Sequence, residues 1–411
     1  MSNSRDLKVL NRLLVRDIIR KHGPIPRYEV ARKAGLTPPT VTVIVNDLLK
    51  AGVVEEVGHG ESSGGRRPVL LELNPRAAFV FAVRIQRGEA MTALLDLAGN
   101  VLGRECLNLD TSLPDDVIEE VGSSFDSLLK NSVVKKNMVL WCGVATPGLI
   151  DSRLGVVTRS SNLSWQGVPF SEMLSRRLGG IPVHVENISN AAALAEKVYG
   201  SGQGRHNLVY LNLSVGVGAG VIIDDKVYGG ARGYAGEIGH MILIPDGGPI
   251  CSCGRHGCFE AICGVRAVLE QIRASVPKEE LSRRGLEGAI ATINDVTKPQ
   301  IAAIPQVRET LERVGYFVGV AVANLMNLFN PEIVILGGEL AKTGDLFSDT
   351  VERVAKECAL QEIGEAVQIV KSSMKEDPPL MGAYALALEK VFEMDDWERP
   401  STTIAEMPGA M

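Results

Sequence analysis

This 411-residue chain contains no run of about 18 apolar residues, so nothing in it reads as a membrane-spanning helix. An apolar leader is missing too. Met1 to Arg20 follows a helical pattern studded with charge, without an apolar stretch ending in small residues, and no secretory signal is expected. The cysteines do not form an even set: there are seven, and Cys251, Cys253 and Cys258 cluster. That suits a reducing compartment and a metal better than a disulfide framework, and cytoplasmic residence is the expectation. Evenly spread charge is also lacking. The net charge is −6, yet residues 1–74 carry 12 Lys/Arg against 8 Asp/Glu, leaving the acidic excess to the remainder. A small basic module on a larger acidic body implies that only the first part meets a polyanion.

The first 74 residues have the rhythm of three helices and a hairpin. Leu7, Leu10, Leu14, Ile18 and Ile19 recur at helical spacing up to the breaker His22-Gly23-Pro24. A short helix is expected over Arg27 to Ala34, ended by Gly35. Thr37 is a natural N-cap for a third helix, with Pro38 at its first position, where a missing N–H costs nothing. Val41, Ile44, Val45, Leu48 and Leu49 form its apolar face. Val53 to Val57 and Pro68 to Leu73 read as strands around a Gly- and Ser-rich loop, and Asn74-Pro75 marks a junction.

A helix, a tight turn and a second helix match a helix-turn-helix, whose second helix lies in the major groove, where base edges are distinguishable. The candidate contacts on that helix are Thr37, Pro39, Thr40, Thr42, Val43 and Asn46. Thr and Asn can hydrogen-bond bases or phosphates, and Val43 can meet a thymine methyl. Arg66 and Arg67 lie near the tip of the hairpin, suited to a minor groove or to phosphates. The expected partner is double-stranded operator DNA. A helical scaffold or dimerisation domain is the alternative.

From Ala78 onward strand and helix patterns alternate. Strands are expected over Phe79 to Ile85, Ala90 to Leu95 and Met138 to Val144, with a helix over Asp115 to Lys130. The pattern restarts near Val209 with strands Val209 to Leu213 and Gly220 to Ile223, a helix around Glu309 to Asn327 and the strand Ile333 to Leu336. Such succession implies α/β layers, and its recurrence implies two similar lobes facing a cleft. Residues 395–411 lack a period and are expected to be a flexible tail. Within the second half, His240, Cys251, Cys253 and Cys258 offer one imidazole and three thiolates, a set that suits one structural Zn²⁺ in tetrahedral coordination. Cys106, Cys142, Cys263 and Cys358 are isolated and are expected to be packed core thiols.

Gly236-Glu237-Ile238-Gly239-His240 followed by Cys251-x-Cys253-Gly254-x-x-Gly257-Cys258-x-Glu260 resembles the signature of the ROK family of repressors and sugar kinases. Thr146-Pro147-Gly148, Ser161-Asn162-Leu163-x-Trp165, Glu186-Asn187, Asn190-Ala191-Ala192 and Leu336-Gly337-Gly338 fall in that family's order, so the resemblance spans essentially the whole chain. It implies a two-lobed, actin-like sugar-kinase fold over 75–394, behind an α+β winged helix-turn-helix domain over 1–74, assembled as a homodimer or homotetramer. The hairpin sequence Gly65-Arg66-Arg67-Pro68 is similar to that of the repressor branch. By the same resemblance, Asn162, Asn187, Glu237, His240 and Glu260 match residues that grip sugar hydroxyls, and Trp165 either faces the sugar ring or packs in the core. His240 would serve both roles, one ring nitrogen on zinc and the other toward a hydroxyl.

Two departures bear on chemistry. Family kinases follow their first strand with a phosphate loop of small residues, Asp-x-Gly-Gly-Thr; here the stretch is Arg84-Ile85-Gln86-Arg87-Gly88. Those kinases also carry Glu-Asn-Asp, whose Asp accepts the sugar proton, where this chain has Ile188. A positioned base contributes about 10²–10⁴-fold, and an aliphatic side chain supplies none of it. The expectation is therefore no catalytic residues, and a repressor of carbohydrate genes controlled by a sugar or sugar derivative in an inactive cleft. The alternatives are an ATP-dependent sugar kinase with an accessory DNA module, a cleft that docks a protein, and a zinc sensor.

Overall fold

A computed structural model describes residues 4–61, 67–394 and 397. The first elements are α1 (Ser4–His22), β1 (Ile25–Pro26), α2 (Arg27–Ala34), α3 (Pro38–Lys50), β2 (Val54–His59) and β3 (Val69–Leu73). The three strands form one sheet in the order β1-β3-β2. Gly35 ends α2 in the left-handed region at φ 64°, returning N–H groups to the carbonyls of Ala31 and Arg32. α3 starts with Pro at its first turn and buries Val41, Val45 and Leu48 against Val15, Ile19, Val30 and Leu71. Thr37 stands at the N-cap, but its hydroxyl pairs with that of Thr40 (2.8 Å) rather than capping backbone. The two-residue strand β1 was too short to give a period.

Two five-stranded sheets follow, and they have the same topology. The first is built from β4 (Phe79–Gln86), β5 (Glu89–Asp96), β6 (Val101–Asn108), β7 (Val139–Thr146) and, after a small sheet of β8 (Leu149–Asp151), β9 (Val156–Ser160) and β10 (Trp165–Val168), β11 (Val183–Asn187). Its order is β11-β7-β4-β5-β6, an antiparallel meander extended by two parallel strands. The second repeats this as β16-β15-β12-β13-β14, with β12 (Leu208–Leu213), β13 (Val217–Ile223), β14 (Lys226–Val227), β15 (Ile333–Gly337) and β16 (Gln368–Lys371). Central strands such as β4 and β15 are buried on both faces and read as continuous apolar runs. Edge strand β6 alternates, which puts Cys106 outward. Cys106 and Cys358 are exposed, correcting the expectation of core thiols, which Cys142 and Cys263 meet.

Helices cover both sheets. α4 (Pro114–Lys130), α5 (Phe170–Arg177) and α6 (Ile188–Tyr199) belong to the first lobe. The second carries α7 (Phe259–Cys263), α8 (Val265–Ser275), α9 (Lys278–Arg283), α10 (Pro299–Ala302), α11 (Pro305–Phe329), α12 (Asp345–Cys358) and α13 (Gln361–Ala366). The 25-residue α11 is longer than its periodicity suggested, because Pro305 opens it and Asn330 closes it at φ 42°. The final helix, α14 (Pro378–Glu393), returns to the first lobe and packs on β4, β7 and α6. A Cβ at Gly382 would stand 1.8 Å from the Ala191 carbonyl oxygen, so only glycine permits this contact. Among the described residues, no helix is long and apolar enough to cross a membrane.

Candidate effector cleft, metal centre and DNA-reading surface

The ends of both sheets open onto one cavity of about 1060 Å³ between the lobes. Asn162, Asn187, Glu237, His240 and Glu260 all line it, so five residues spread over some hundred positions face a single space. Each is held by local structure. Asn187 ends β11 and caps α6: its Oδ1 accepts from the Ser189 N–H (2.8 Å) while its Nδ2 donates to the Gly148 carbonyl (2.9 Å). Glu186 beside it is buried, accepting from Ser152 Oγ (2.8 Å), Asn190 Nδ2 (3.1 Å) and the Asn187 N–H (2.7 Å). Glu260, in the first turn of α7, accepts from the Val217 N–H (3.0 Å) and from Ser252 Oγ (3.3 Å). Asn162 and Glu260 approach each other over Gly216, where a Cβ would meet both at 3.0 and 3.2 Å. Burial raises the pKa of Glu237 above the ordinary glutamate value; His240 opposes this and the nearby Glu260 charge adds to it. Trp165 is not on the cavity wall. It is 2% exposed, stacks on Phe170 and donates to the Thr111 carbonyl, so its role is packing.

Arg84 and Ile188 also reach this cavity. Arg84 is 4% exposed on an otherwise apolar strand, with Nε 3.1 Å from Asp377 Oδ2 and Nη2 bonded to Glu89. A guanidinium with two carboxylates thus stands where a phosphate loop needs small residues and open backbone N–H groups. This ion-pair hub was not anticipated. Its only signal in the sequence was a charge inside an apolar strand, since Asp377 is remote along the chain.

The four metal candidates converge beside the cleft. Their ligating atoms all lie within 4.8 Å of one another. Cys253 and Cys258 sulfurs are 3.7 Å apart, and Cys251 Sγ is 3.7 Å from His240 Nδ1. Tetrahedral zinc with Zn–S near 2.3 Å sets sulfur atoms about 3.8 Å apart, whereas a disulfide needs about 2.05 Å. The donor set therefore fits a metal and not a bond between thiols. Burial and the neighbouring thiols push the Cys258 thiol up to about 12. Burial works the same way on Cys253, but the Arg255 backbone N–H and adjacent thiols hold it below the ordinary value. A divalent cation held among these residues would remove that conflict by favouring every thiolate. Gly257, at φ 69°, is required in this loop: a Cβ there would stand 1.7 Å from the Ile244 carbonyl oxygen.

On α3, Thr37, Pro39, Thr42, Val43 and Asn46 are exposed and Thr40 is half-buried, while the apolar face points inward. Val43 is 62% exposed, more than packing alone explains. Thr42 Oγ1 donates to the Pro38 carbonyl (2.9 Å). Arg67 is exposed; Arg66 lies outside the described residues. Tyr28 on α2, 64% exposed, was missed because a single aromatic on a short helix carries no pattern.

Residues 80–390 match the ROK family, and residues 3–55 match a winged helix-turn-helix DNA-binding family. The chain belongs to the ROK family. A putative xylose repressor from Caldicellulosiruptor sp. (strain Rt8B.4) is 30% identical over 404 residues, covering 97% of this chain and 100% of that protein. Among solved structures, a ROK family transcriptional regulator homologous to the Escherichia coli MLC protein superposes with a TM-score of 0.80 at 27% identity, covering 94% of this chain and all of that one. A ROK glucokinase from Streptomyces griseus, solved with glucose and AMPPNP, gives 0.65 at 26% identity and covers 76% of this ROK chain and all of its own. The winged helix-turn-helix match thus lies ahead of the ROK match in this chain.

Proposed function

We propose that this ROK protein is a sequence-specific DNA-binding repressor of carbohydrate genes, controlled by a sugar or sugar derivative held in the inter-lobe cleft. The observation that carries the reading is the division within one cavity. Asn162, Asn187, Glu237, His240 and Glu260 face it with amides, an imidazole and carboxylates, the donors and acceptors that vicinal hydroxyls require. Arg84 and Ile188 stand in the same cavity where phosphoryl transfer needs a phosphate loop and a base. The cleft recognises and does not transfer. Relatives named xylose repressor or putative xylose repressor, matched over nearly their whole length, support the same assignment.

Cys251, Cys253, Cys258 and His240 Nδ1 would hold one structural zinc ion. With an ion held by these four residues, the 240–258 segment would be cross-linked and the other His240 ring nitrogen would be left for a hydroxyl. Residues 1–74 form the DNA-binding unit and 75–394 the effector unit; the tail expected over 395–411 lies outside the described residues except for Trp397, which packs on Phe392. The protein works in the cytoplasm as a homodimer or homotetramer, each recognition helix reading one half-site. On α3, Thr37, Pro39, Thr40, Thr42, Val43 and Asn46 meet the DNA, with Arg66 and Arg67 at the wing.

The test is DNA selection by the full-length protein, followed by titration with D-xylose, D-glucose, N-acetylglucosamine and their 6-phosphates where these exist. Salt-sensitive binding to a selected sequence, weakened by one of these compounds without ATP, is the expected result. Turnover of ATP coupled to sugar phosphate formation would instead make it a kinase.

A further inference from the structure

We propose that α14 is a strut that carries the state of the cleft to the DNA-binding helices, latched at its cleft end by Arg84. The inference rests on the cleft being the effector site and adds how its occupancy reaches α1.

At the cleft end, the buried Arg84 guanidinium is shared between Glu89 and Asp377, and both Arg84 and Asp377 line the cavity. Asp377 is also the N-cap of α14, its Oδ1 accepting from the Leu380 N–H at 2.9 Å. One carboxylate therefore ties the first turn of α14 to a side chain on the cavity wall. Withdrawal of Asp377 would leave the buried Arg84 cation with Glu89 as its partner, which is costly, so Arg84 and the helix start move together.

The 16 residues of α14 span about 24 Å. Along that length the helix is one unbroken element, with Gly382 against the Ala191 carbonyl and the Tyr384 hydroxyl donating to the Asp96 carbonyl at 2.8 Å. At its far end the last-turn carbonyls have no partner within the helix. Arg16 of α1, 2% exposed, supplies one: its Nη2 donates to the carbonyls of Phe392 and Met394, each at 2.7 Å. Its guanidinium also lies 4.9 Å from the Trp397 ring, and that of Arg20 lies 4.6 Å from the Phe392 ring. Val15 and Ile19, beside Arg16, belong to the core on which α3 packs. A shift of α14 thus redirects α1 and, through that core, the recognition helix. A ligand drives such a shift only if it binds better to one position of Arg84 than the other.

Two substitutions in the full-length chain test this by hydrogen exchange, without DNA or effector. Arg84→Met removes the latch. Asp377→Asn keeps the cap, since Asn and Asp cap equally well, and removes the charge that Arg84 grips. Arg104→Met, which breaks the exposed pair with Glu376, is the control. Amides at 14–20 and 389–394 are expected to exchange at least tenfold faster in the first two variants and to be unchanged in the control. Acceleration confined to the first turn of α14 would overturn the proposal. A double-mutant cycle between Arg84→Met and Arg16→Met, read on affinity for a DNA fragment the protein selects, gives the energetic coupling. Distant independent sites combine within about twofold, so agreement that close also overturns it, and a larger departure supports it. If the chain selects no DNA, the repressor reading fails while the exchange experiment still decides the strut.

Discussion

Arg84 and Ile188 bear on what the proposed effector cleft can do, and the proposed metal ligands on how firmly its wall is held. Ile188→Asp would restore the missing carboxylate at the base position, yet the bulky, ion-paired Arg84 would still fill the phosphate site. This variant is expected to form no sugar phosphate from ATP above background, measured by coupled assay. At the metal centre, Cys258→Ser is expected to lower zinc content from one per chain to near none by elemental analysis. Its zinc affinity should fall at least about 100-fold, because changes behind the ligands alone commonly cost 10–100-fold. The same variant should lose hydrogen-exchange protection across 247–258, the loop closed by the Gly257 and Cys251 backbone bonds. Unchanged zinc stoichiometry would remove Cys258 as a ligand and contradict the four-residue site.

Among the elements, α3 and α14 carry the separate tasks of reading and support. Asn46→Ala and Val43→Ala are expected to cost about 1–3 kcal/mol each in binding the selected sequence if they touch base edges, with the salt slope unchanged. Arg67→Ala should weaken binding to all sequences alike and reduce the salt slope by about 1, as one lost phosphate contact does. Gly382→Ala should destabilise the fold by about 3 kcal/mol, the upper part of the overpacking range, because its new methyl meets Ala191 backbone rather than a movable side chain. Thermal or urea unfolding reads this directly. The same elements explain what was legible in the sequence. α3 was readable because Val41, Val45 and Leu48 recur on one face after Pro38, and β4 and β15 because uninterrupted apolar runs mark strands covered on both sides. α6 is rich in Ala and α14 carries Ala with Gly382, and small residues at close helix approaches blur any apolar period. The sheet of β8, β9 and β10 escaped notice because its strands are three to five residues long. The cysteine and histidine set was visible because its ligands are close in sequence, whereas the Arg84–Asp377 pair joins residues that only the fold brings together.

At the scale of the whole molecule, a repeated sheet topology makes a cleft, and the chain's last helix returns to the first lobe before meeting its first helix. Such a path gives a ligand between the lobes a mechanical route to the recognition helices, and it gives the acidic body no need to touch DNA itself. Binding to DNA should fall steeply with salt, in proportion to the phosphates that the basic module neutralises. The measurement that bears most directly on this account is the affinity of the full-length protein for a DNA fragment it selects, followed by fluorescence anisotropy as each sugar and sugar phosphate is added in the absence of ATP. The account predicts that one of them weakens binding by tenfold or more and that Glu260→Gln or Asn162→Ala abolishes this response while leaving sugar-free DNA affinity intact. DNA affinity indifferent to every such compound, alongside sugar phosphate made from ATP, would contradict it.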